Sequence, residues 1–430
     1  MTSFVLNNIH IIDPSQNLDE FGTIIVENGN ILDAGSHVLN QGFPPSFPVR
    51  DCTGLIAIPG LVDARVTLDG PPERYTENIV RISKEAASGG ITSLILTPFI
   101  SSFMDEYTFI KSSFKEIQKN SIVNVYPTAG LTHRMDGKKI NDIRLLQEQG
   151  AVSFVHTPLS IYDTQILLNS MKYAHMLDAI VALDTHDYFL GSQGAMNEGV
   201  MASHLGVPCI PAISETIPLN RDLLIAQHTG GRYHASLLSL PQSIALLNHA
   251  KENKTKATCG VSINNLVLNE NDIGMYNSLR KVLPPLRPEE ERIGMINALA
   301  RGDIDIIVSD HTPRPTDTKN LSFTEASFGS IGLETMLSAG LRLFHADHIS
   351  LIKLIESMST RPAKIFNLPG GTLKPHAPAD IVLINLDHQW VAKADNMLSS
   401  YKNMAFNQEC FSGRVIETYI SGKRVYTLEN

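Results

Sequence analysis

The chain has 430 residues, of which 43% are hydrophobic and only 18% are charged. Because soluble chains usually carry about 25% charged residues, this composition excludes a solvated, disordered chain and predicts a large buried core. Lys and Arg number 35 against 44 Asp and Glu, a net charge of −9, so neither nucleic acid nor an acidic membrane surface is expected as a partner.

The N-terminus and the cysteines predict a cellular compartment. The opening residues, MTSFVLNNIHIIDPSQ, lack a basic segment followed by a long apolar run, and no apolar run reaches membrane-spanning length. The cysteines at 52, 209, 259 and 410 form no CxxC pair, so we expect buried, reduced thiols. These features predict a cytoplasmic protein.

In chain order, the two ends of the sequence resemble each other and differ from the middle. Residues 23–35 are two apolar runs joined by Asn-Gly, and residues 414–426 repeat this pattern around Ser-Gly. An Asn-Gly pair between apolar runs is the strongest short signal for a β-hairpin. We therefore predict one small β domain from residues 1–55 and 375–430, and a second domain from residues 56–374.

The middle of the chain alternates apolar, β-rich runs with segments of helical length. Eight such units fit a (β/α)₈ barrel of the TIM type better than an open doubly wound sheet, so the predicted class is α/β. The predicted strands are Leu55–Val62, Ile91–Thr97, Ile122–Tyr126, Ala151–Val155, Ala179–Leu183, Gly231–Leu237, Lys256–Val261 and Ile304–Ser309. The predicted helices include Glu73–Ser88, Thr164–Leu177, Pro241–Asn253 and Pro288–Arg301.

Ordered motifs run from about residue 4 to residue 428. They are PGLVD (59–63), GAMNEG…ASHLGVP (194–208), TGGRYH (229–234), PPLRPEEER (284–292), SDHTP (309–313), EASFGSIGLET (325–335), RPAKIFNL (361–368) and GTLKPHAPADIVLINL (371–386). In this order they resemble the motifs of dihydroorotase, a family of the amidohydrolase superfamily. The resemblance implies a zinc-dependent hydrolase whose metal ligands follow the barrel strands.

The positions that hold zinc in that family are largely replaced in this sequence. The family has two zinc-binding histidines after the first strand and one each after the fifth and sixth strands, and all four are missing here. Among the ligand positions that can be matched, only Asp310 keeps the family residue. A guanidinium has no lone pair to give a metal, so we expect zinc to be absent. The replaced positions are Arg65, Thr67, Leu183 and Leu237, with His156 or Thr157 matching the fourth-strand aspartate.

The positions that hold the substrate in the family are replaced as well. Asp69 stands where an arginine holds the substrate carboxylate, and its charge has the wrong sign. Phe99 and Leu283 replace asparagines, and Arg314 replaces a histidine. We predict that Arg65 pairs with Asp310, so that a fixed cation replaces the charge of the metal. The neighbouring His311 is expected to bond to the backbone.

These replacements predict a protein without catalytic residues. The sequence resembles the inactive dihydroorotase-like chain that accompanies the aspartate transcarbamoylase catalytic chain in some bacteria. This resemblance implies a structural and activating role in pyrimidine biosynthesis, as a homodimer within a hetero-oligomer. Two alternatives stay open: a cyclic amidohydrolase with a metal site rebuilt around Asp310, His156 and His186, and an anion-binding sensor that uses Arg65 and Arg314 in the former active-site pocket.

Overall fold

The structure is a computed structural model that describes residues 3–38, 42–68, 75–97, 114–115, 117–158 and 160–429. The strands are β1 (Phe4–Asp13), β2 (Leu18–Glu27), β3 (Asn30–Gly35), β4 (Val49–Asp51), β5 (Ile56–Pro59), β6 (Leu61–Thr67), β7 (Ile91–Thr97), β8 (Asn124–Gly130), β9 (Ser153–His156), β10 (Ile180–Leu183), β11 (Met196–Asn197), β12 (Cys209–Ile210), β13 (Arg232–Ala235), β14 (Ala257–Ser262), β15 (Ile306–Val308), β16 (Ile381–Ala392), β17 (Glu409–Ile420) and β18 (Lys423–Thr427).

Helices separate the strands of the middle region. Those of the described residues are α1 (Tyr75–Ser88), α2 (Ile143–Glu148), α3 (Thr164–Met176), α4 (Tyr188–Gly191), α5 (Val200–Leu205), α6 (Ile213–Thr229), α7 (Pro241–Glu252), α8 (Ile263–Val267), α9 (Glu289–Arg301), α10 (Thr316–Lys319), α11 (Met336–His345), α12 (Leu351–Ile355) and α13 (Arg361–Ile365). A π-helical turn, Glu356–Thr360, joins α12 to α13.

Both chain ends contribute to one sheet, with the strand order β18-β17-β16-β5-β1-β2-β3 and β4 paired to β1. The two predicted hairpins are confirmed. Asn28 and Gly29, at φ 51° and 85°, turn between β2 and β3. Ser421 and Gly422, at 45° and 72°, turn between β17 and β18. Positive φ at both central residues matches the twist of the paired strands.

The middle region forms the predicted parallel barrel, with the strand order β15-β14-β13-β10-β9-β8-β7-β6. The barrel is nearly closed, because the backbone N–H of Thr67 donates to the carbonyl of His311 at 3.0 Å, just beyond β15. Side chains such as Ile95, Ile180 and Ile306 fill the interior. The C-terminal ends of β6 to β15 therefore converge on one mouth, where barrel enzymes place their chemistry.

Some sequence predictions are corrected by the structure. The predicted first strand, Leu55–Val62, is two strands divided at Gly60: β5 pairs with β1 and β16 in the terminal sheet, and β6 starts the barrel. A Cβ at Gly60 would lie 2.0 Å from Oγ1 of Thr92, so only glycine fits between them. Cys410 is exposed, against the expectation of buried cysteines. Within the described ranges, no helix is long and apolar enough to span a membrane.

Candidate ligand cavity at the barrel mouth

A cavity of about 400 Å³ opens at the C-terminal ends of the barrel strands. This volume lies within the range of small-molecule sites, about 300–1,000 Å³. Its lining combines arginines and carboxylates with apolar side chains. The charged lining residues are Arg65, Asp184, Glu215, Arg287, Asp310 and Arg314, and the apolar ones include Leu237, Leu283, Pro284, Pro285 and Phe328.

The Arg65 guanidinium lies between two carboxylates. Its Nη1 and Nη2 donate to Oδ1 and Oδ2 of Asp184 at 2.7 and 2.8 Å, and its Nε donates to Oδ1 of Asp310 at 2.9 Å. Thr157 Oγ1 donates to Asp184 at 2.5 Å. The predicted pairing of Arg65 with Asp310 is confirmed. Bidentate pairing to a second carboxylate fixes the plane of the guanidinium.

Strand alternation explains which side chains reach this centre. On β10, Ile180 packs in the barrel interior, so Asp184, four residues on, faces inward as well. Leu183 packs instead with the apolar side chains outside the barrel strands. Placing Leu183 at the metal position was therefore wrong. Asp184 was not singled out from the sequence, although an acidic residue directly after a predicted barrel strand was a usable signal.

The same alternation decides between His156 and Thr157. Thr157 lines the cavity and contacts Arg65, whereas His156 lies near Gly137, outside the cavity lining. The His156 Nδ1 is buried without a hydrogen-bond partner, and burial lowers the pKa of this imidazole to about 4. His156 is thus a neutral side chain outside the cavity that Asp310 and His186 line. The rebuilt metal site predicted as an alternative is not assembled.

Two carboxylates near the mouth have raised pKa values. Burial raises the pKa of Asp310 to about 6, although Arg65 lowers it. Burial also raises the pKa of Asp63 to about 7, while the Ser309 hydroxyl, which donates to it, lowers that pKa. Asp310 has a φ of 53°, in the left-handed region, so the loop after β15 is strained where it presents this carboxylate.

A second buried ion pair forms another wall of the cavity. Arg287 Nη2 donates to Oε2 of Glu215 at 3.2 Å, and its Nη1 donates to Oδ1 of Asn197 at 2.6 Å. Glu215 also accepts hydrogen bonds from the Ser239 backbone N–H, the Ser239 hydroxyl and the Ser243 hydroxyl at 3.0, 2.5 and 2.6 Å. This pair connects α6 to the PPLR loop, and the sequence analysis did not foresee it.

The remaining predicted site residues divide into three groups. Thr67, Leu237, Leu283, Arg314 and His186 line the cavity, and the Arg314 Nε donates to the carbonyl of Phe328 at 2.9 Å. Burial lowers the pKa of His186 below its usual range, so its imidazole is neutral. His311 is buried and its Nδ1 accepts from the Gly332 N–H at 3.3 Å, as predicted. The last group, Asp69 and Phe99, lies outside the described residues.

The donor set at the mouth does not fit a zinc ion. Zinc needs imidazole, thiolate or carboxylate lone pairs in a tetrahedral arrangement. Here a permanent cation, Arg65, holds both nearby carboxylates, and Leu237 adds only carbon. Across the described ranges, no three His, Cys, Asp or Glu side chains are grouped so that they could hold a metal ion.

Comparisons with known families define the class of protein. Residues 173–425 match the Amidohydrolase family, and residues 54–243 match the Dihydro-orotase-like family. With this fold and this cavity, the chain belongs to the amidohydrolases.

Relatives narrow this assignment further. The chain is 34% identical over 422 residues to a dihydroorotase of Ehrlichia canis (strain Jake), covering 98% of this chain and 94% of that protein. It is 33% identical over 426 residues to a dihydroorotase of Aquifex aeolicus (strain VF5), covering 99% and 100%. Among the amidohydrolases, the chain is therefore a member of the dihydroorotase family.

Solved structures share the fold at lower identity. An L-hydantoinase (dihydropyrimidinase) from Arthrobacter aurescens has a TM-score of 0.87 at 22% identity, covering 100% of this chain and 98% of that chain. A dihydropyrimidinase from Brevibacillus agri NCHU1002 has a TM-score of 0.82 at 19% identity, covering 99% and 95%. At these identities the likeness shows the fold alone.

Proposed function

We propose that this protein is a non-catalytic member of the dihydroorotase family that acts in pyrimidine biosynthesis as a structural and activating partner of aspartate transcarbamoylase. The observation that carries the first half of this proposal is the Arg65 guanidinium, which bonds to Asp184 and Asp310 at the barrel mouth. Cyclic amide hydrolysis by a metal hydrolase needs an ion that activates water and polarises the carbonyl.

The charges and the geometry at the barrel mouth support the proposal that this cavity does not catalyse hydrolysis. The side chains of Arg65, Asp184 and Asp310 are 14%, 8% and 8% exposed, so the ion pairs are largely desolvated. A divalent cation would have to displace a guanidinium that already neutralises part of the carboxylate charge. Neutral His186 is the imidazole that lines the described cavity, and a single imidazole does not make a zinc site.

The named relatives are dihydroorotases, so the decisive experiment compares this chain with one of them. Purified, untagged protein is incubated with zinc, desalted and analysed by elemental mass spectrometry, beside the Aquifex aeolicus dihydroorotase. We expect less than about 0.1 zinc per chain here. Hydrolysis of dihydroorotate should stay at the level of buffer. One or two bound zinc ions with measurable hydrolysis would overturn the proposal and make the chain an active cyclic amidohydrolase.

The partner half of the proposal rests on the resemblance to inactive chains of aspartate transcarbamoylase complexes, and places the protein in the cytoplasm with that enzyme. It is tested by co-expression with the aspartate transcarbamoylase catalytic chain of the same organism. We expect the two chains to co-purify as a hetero-oligomer, and transcarbamoylase activity to rise at least tenfold over the catalytic chain alone. Full activity without this chain, and separate elution, would contradict the role.

A second candidate function is an anion sensor, favoured by the three arginines that line the cavity. Arg65 and Arg287 are each bonded to carboxylates, and Arg314, whose Nε donates to the carbonyl of Phe328, lines the same mouth. Guanidinium groups bind carboxylates through paired hydrogen bonds. Thermal unfolding with carbamoyl aspartate, aspartate or a nucleotide tests this function. A concentration-dependent rise in Tm that Arg314→Gln removes would favour the sensor; no rise with any of them would exclude it for these ligands.

A further inference from the structure

A second cavity lies where the barrel meets the terminal sheet. Its volume is about 650 Å³, and it shares no lining residue with the cavity at the barrel mouth. The helices α1 and α11 contribute Lys84 and Leu337, and the strands β16, β17 and β18 contribute Trp390, Arg414 and Tyr426. This volume is that of a small-molecule site, about 300–1,000 Å³. We call this space the sheet cavity.

The Arg414 guanidinium in the wall of the sheet cavity is held by an aromatic ring. Its central carbon lies over the Trp390 ring, 4.6 Å from the centroid. The indole is itself fixed, because its Nε1 donates to the carbonyl of Gly413 at 3.2 Å and its centroid lies 5.5 Å from that of Phe411. The face of an indole attracts a cation. The stack therefore orients the N–H groups of Arg414 before any ligand binds.

Arg414 is partly buried, yet it donates no hydrogen bond and forms no ion pair with any residue that the structure describes. A nearby arginine shows the contrast. Arg342 lies over the Phe411 ring at 4.3 Å, and its Nη2 donates to Oε2 of Glu409 and to the carbonyl of Cys410 at 2.9 and 2.8 Å. Of these two stacked arginines, Arg342 has its acceptors within the protein, whereas the donors of Arg414 are available to a ligand.

The acidic residues of the sheet cavity, Glu334 and Glu429, do not neutralise Arg414. Glu334 accepts from two backbone N–H groups at 3.0 and 3.1 Å, and burial raises its pKa. Glu429 is exposed to solvent. A further cation, Lys84, lines the cavity and has no hydrogen bond or ion pair within the described ranges. Two cations without an acidic partner make this cavity complementary to an anion.

Apolar side chains form most of the remaining lining of the sheet cavity. They include Ile122, Leu337, Met397, Leu398, Val415 and Val425. Leu398 is 52% exposed, so a ligand that covers it removes apolar surface from water. A ligand matched to this lining carries an anionic group for Arg414 and an apolar body. One negative charge suits the site better than two, because Glu334 and Glu429 line the same cavity and repel a dianion.

We propose that the sheet cavity binds a small organic monoanion, a carboxylate with an apolar body, through paired hydrogen bonds from Arg414. Guanidinium groups bind carboxylates in this paired geometry. The apolar body then lies among the aliphatic side chains and the Tyr426 ring. Because the sheet cavity is separate from the barrel mouth, this inference does not depend on the proposed function.

The test uses Trp390, which is the single tryptophan of the chain, so that its fluorescence reports on this cavity. The full-length protein is titrated with phenylpropanoate and with its neutral amide, phenylpropanamide, which has the same apolar body. We expect a saturable change in the Trp390 emission, and a dissociation constant at least about tenfold lower for the carboxylate than for the amide. Isothermal titration calorimetry should give the same two constants.

Substitutions assign the preference for the carboxylate to one side chain. Arg414→Met should raise the dissociation constant for phenylpropanoate at least about tenfold, to that of the amide, because the paired hydrogen bonds are lost. The matched control is Arg342→Met, which removes the stacked arginine outside the cavity lining and should leave the constant unchanged. Urea unfolding of both variants checks that they are folded.

Three outcomes would overturn the inference: no saturable binding of phenylpropanoate, equal binding of the carboxylate and the amide by the wild type, or unchanged affinity in Arg414→Met. The first two need only the wild-type protein, so they hold even where a variant does not fold. Arg314→Gln separates this cavity from the barrel mouth. Loss of phenylpropanoate binding in Arg314→Gln, with unchanged binding in Arg414→Met, would place the anion at the mouth and favour the sensor instead.

Discussion

Two arginines are buried against carboxylates in the same cavity, and their surroundings differ in one respect. Arg287 neutralises a single carboxylate, Glu215, which three further hydrogen bonds stabilise. Arg65 serves two carboxylates, Asp184 and Asp310, and Thr157 adds one further donor. The Arg65 centre, the group formed by Arg65, Asp184 and Asp310, therefore contains one more carboxylate than guanidinium.

The raised pKa of Asp310 has several causes in this centre. Burial is its largest cause, Arg65 opposes it, and the charge of Asp184 adds to it. Under the proposed function, this one guanidinium stands in place of a metal ion that would carry two charges. The Arg287 pair is balanced by itself and holds the PPLR loop against α6. Comparing the two centres thus contrasts a structural ion pair with the pair for which we propose that a guanidinium replaces a metal ion.

The largest expected effect comes from returning imidazoles to the Arg65 centre. Replacing Arg65, Thr67 and Leu237 together by His removes the guanidinium and places three nitrogen ligands beside Asp184 and Asp310. We expect about one zinc per chain by elemental mass spectrometry, because imidazoles and carboxylates suit this ion. The control, Thr67→His with Leu237→His, keeps Arg65 and should bind none. Zinc uptake by this control would show that Arg65 does not exclude the metal.

Removing the Arg65 or the Arg287 guanidinium alone should lower the free energy of unfolding by different amounts. Breaking a buried ion pair costs about 3–5 kcal/mol of unfolding free energy, because the remaining charge is desolvated. We expect the loss for Arg65→Met to lie at the upper end of this range, because two buried carboxylates then lose their cation. The loss for Arg287→Met should lie at the lower end, because only one carboxylate does. Urea unfolding at pH 7.5 measures both.

The matched control for these variants is Arg301→Met, which removes an arginine that is 62% exposed and paired with Asp303. Such surface pairs contribute about 0–1 kcal/mol. Equal losses for Arg65→Met and Arg287→Met would mean that the second carboxylate is stabilised by groups other than Arg65, and the proposed imbalance of the centre would be wrong.

Particular residues show which parts of the fold and of the cavity can be predicted from the sequence. The hairpin turns and the barrel followed from local signals: Asn28-Gly29 specifies a turn by its backbone conformation, and strand alternation is periodic. The pairing of Arg65 with Asp310 followed from placing both at strand ends of one barrel. Leu183 was misplaced because a one-residue slip along a strand moves every side chain to the opposite face. Arg287 and Glu215 are 72 residues apart, and only the tertiary fold brings them together.

Removing one hydroxyl donor from each centre should lower the unfolding free energy by less than removing its arginine, and by different amounts in the two centres. Thr157→Val removes the hydrogen bond to Asp184, and Ser243→Ala removes one of those to Glu215. A hydrogen bond to a charged group contributes about 1.5–3 kcal/mol. We expect Thr157→Val to cost about 2 kcal/mol and Ser243→Ala about 1 kcal/mol less, since Glu215 keeps Ser239 and Arg287. Urea midpoints measure the difference, and a reversed order would contradict the balanced description of the Glu215 site.

The smallest expected effect is a pH dependence of the unfolding free energy that arises from the Arg65 centre. The folded pKa of Asp310, about 6, lies above its ordinary value of 3.8, so the folded state binds this proton more tightly than the unfolded state. The resulting stabilisation is present below pH 4, and is lost as the pH rises through 6. The Asp310→Asn variant has no titrating group at this position and so lacks this stabilisation, but its amide oxygen can still accept from Arg65.

Between pH 7.5 and 5.0, the wild type should therefore gain about 1 kcal/mol relative to Asp310→Asn. Burial also raises the pKa of Asp63 and Asp222, but these groups are present in both proteins and cancel in the comparison. Asp178→Asn, at a carboxylate that is 75% exposed, should parallel the wild type at each pH. Parallel urea midpoints for wild type and Asp310→Asn would mean that Arg65 neutralises Asp310 completely, and that one guanidinium suffices where the family holds a metal.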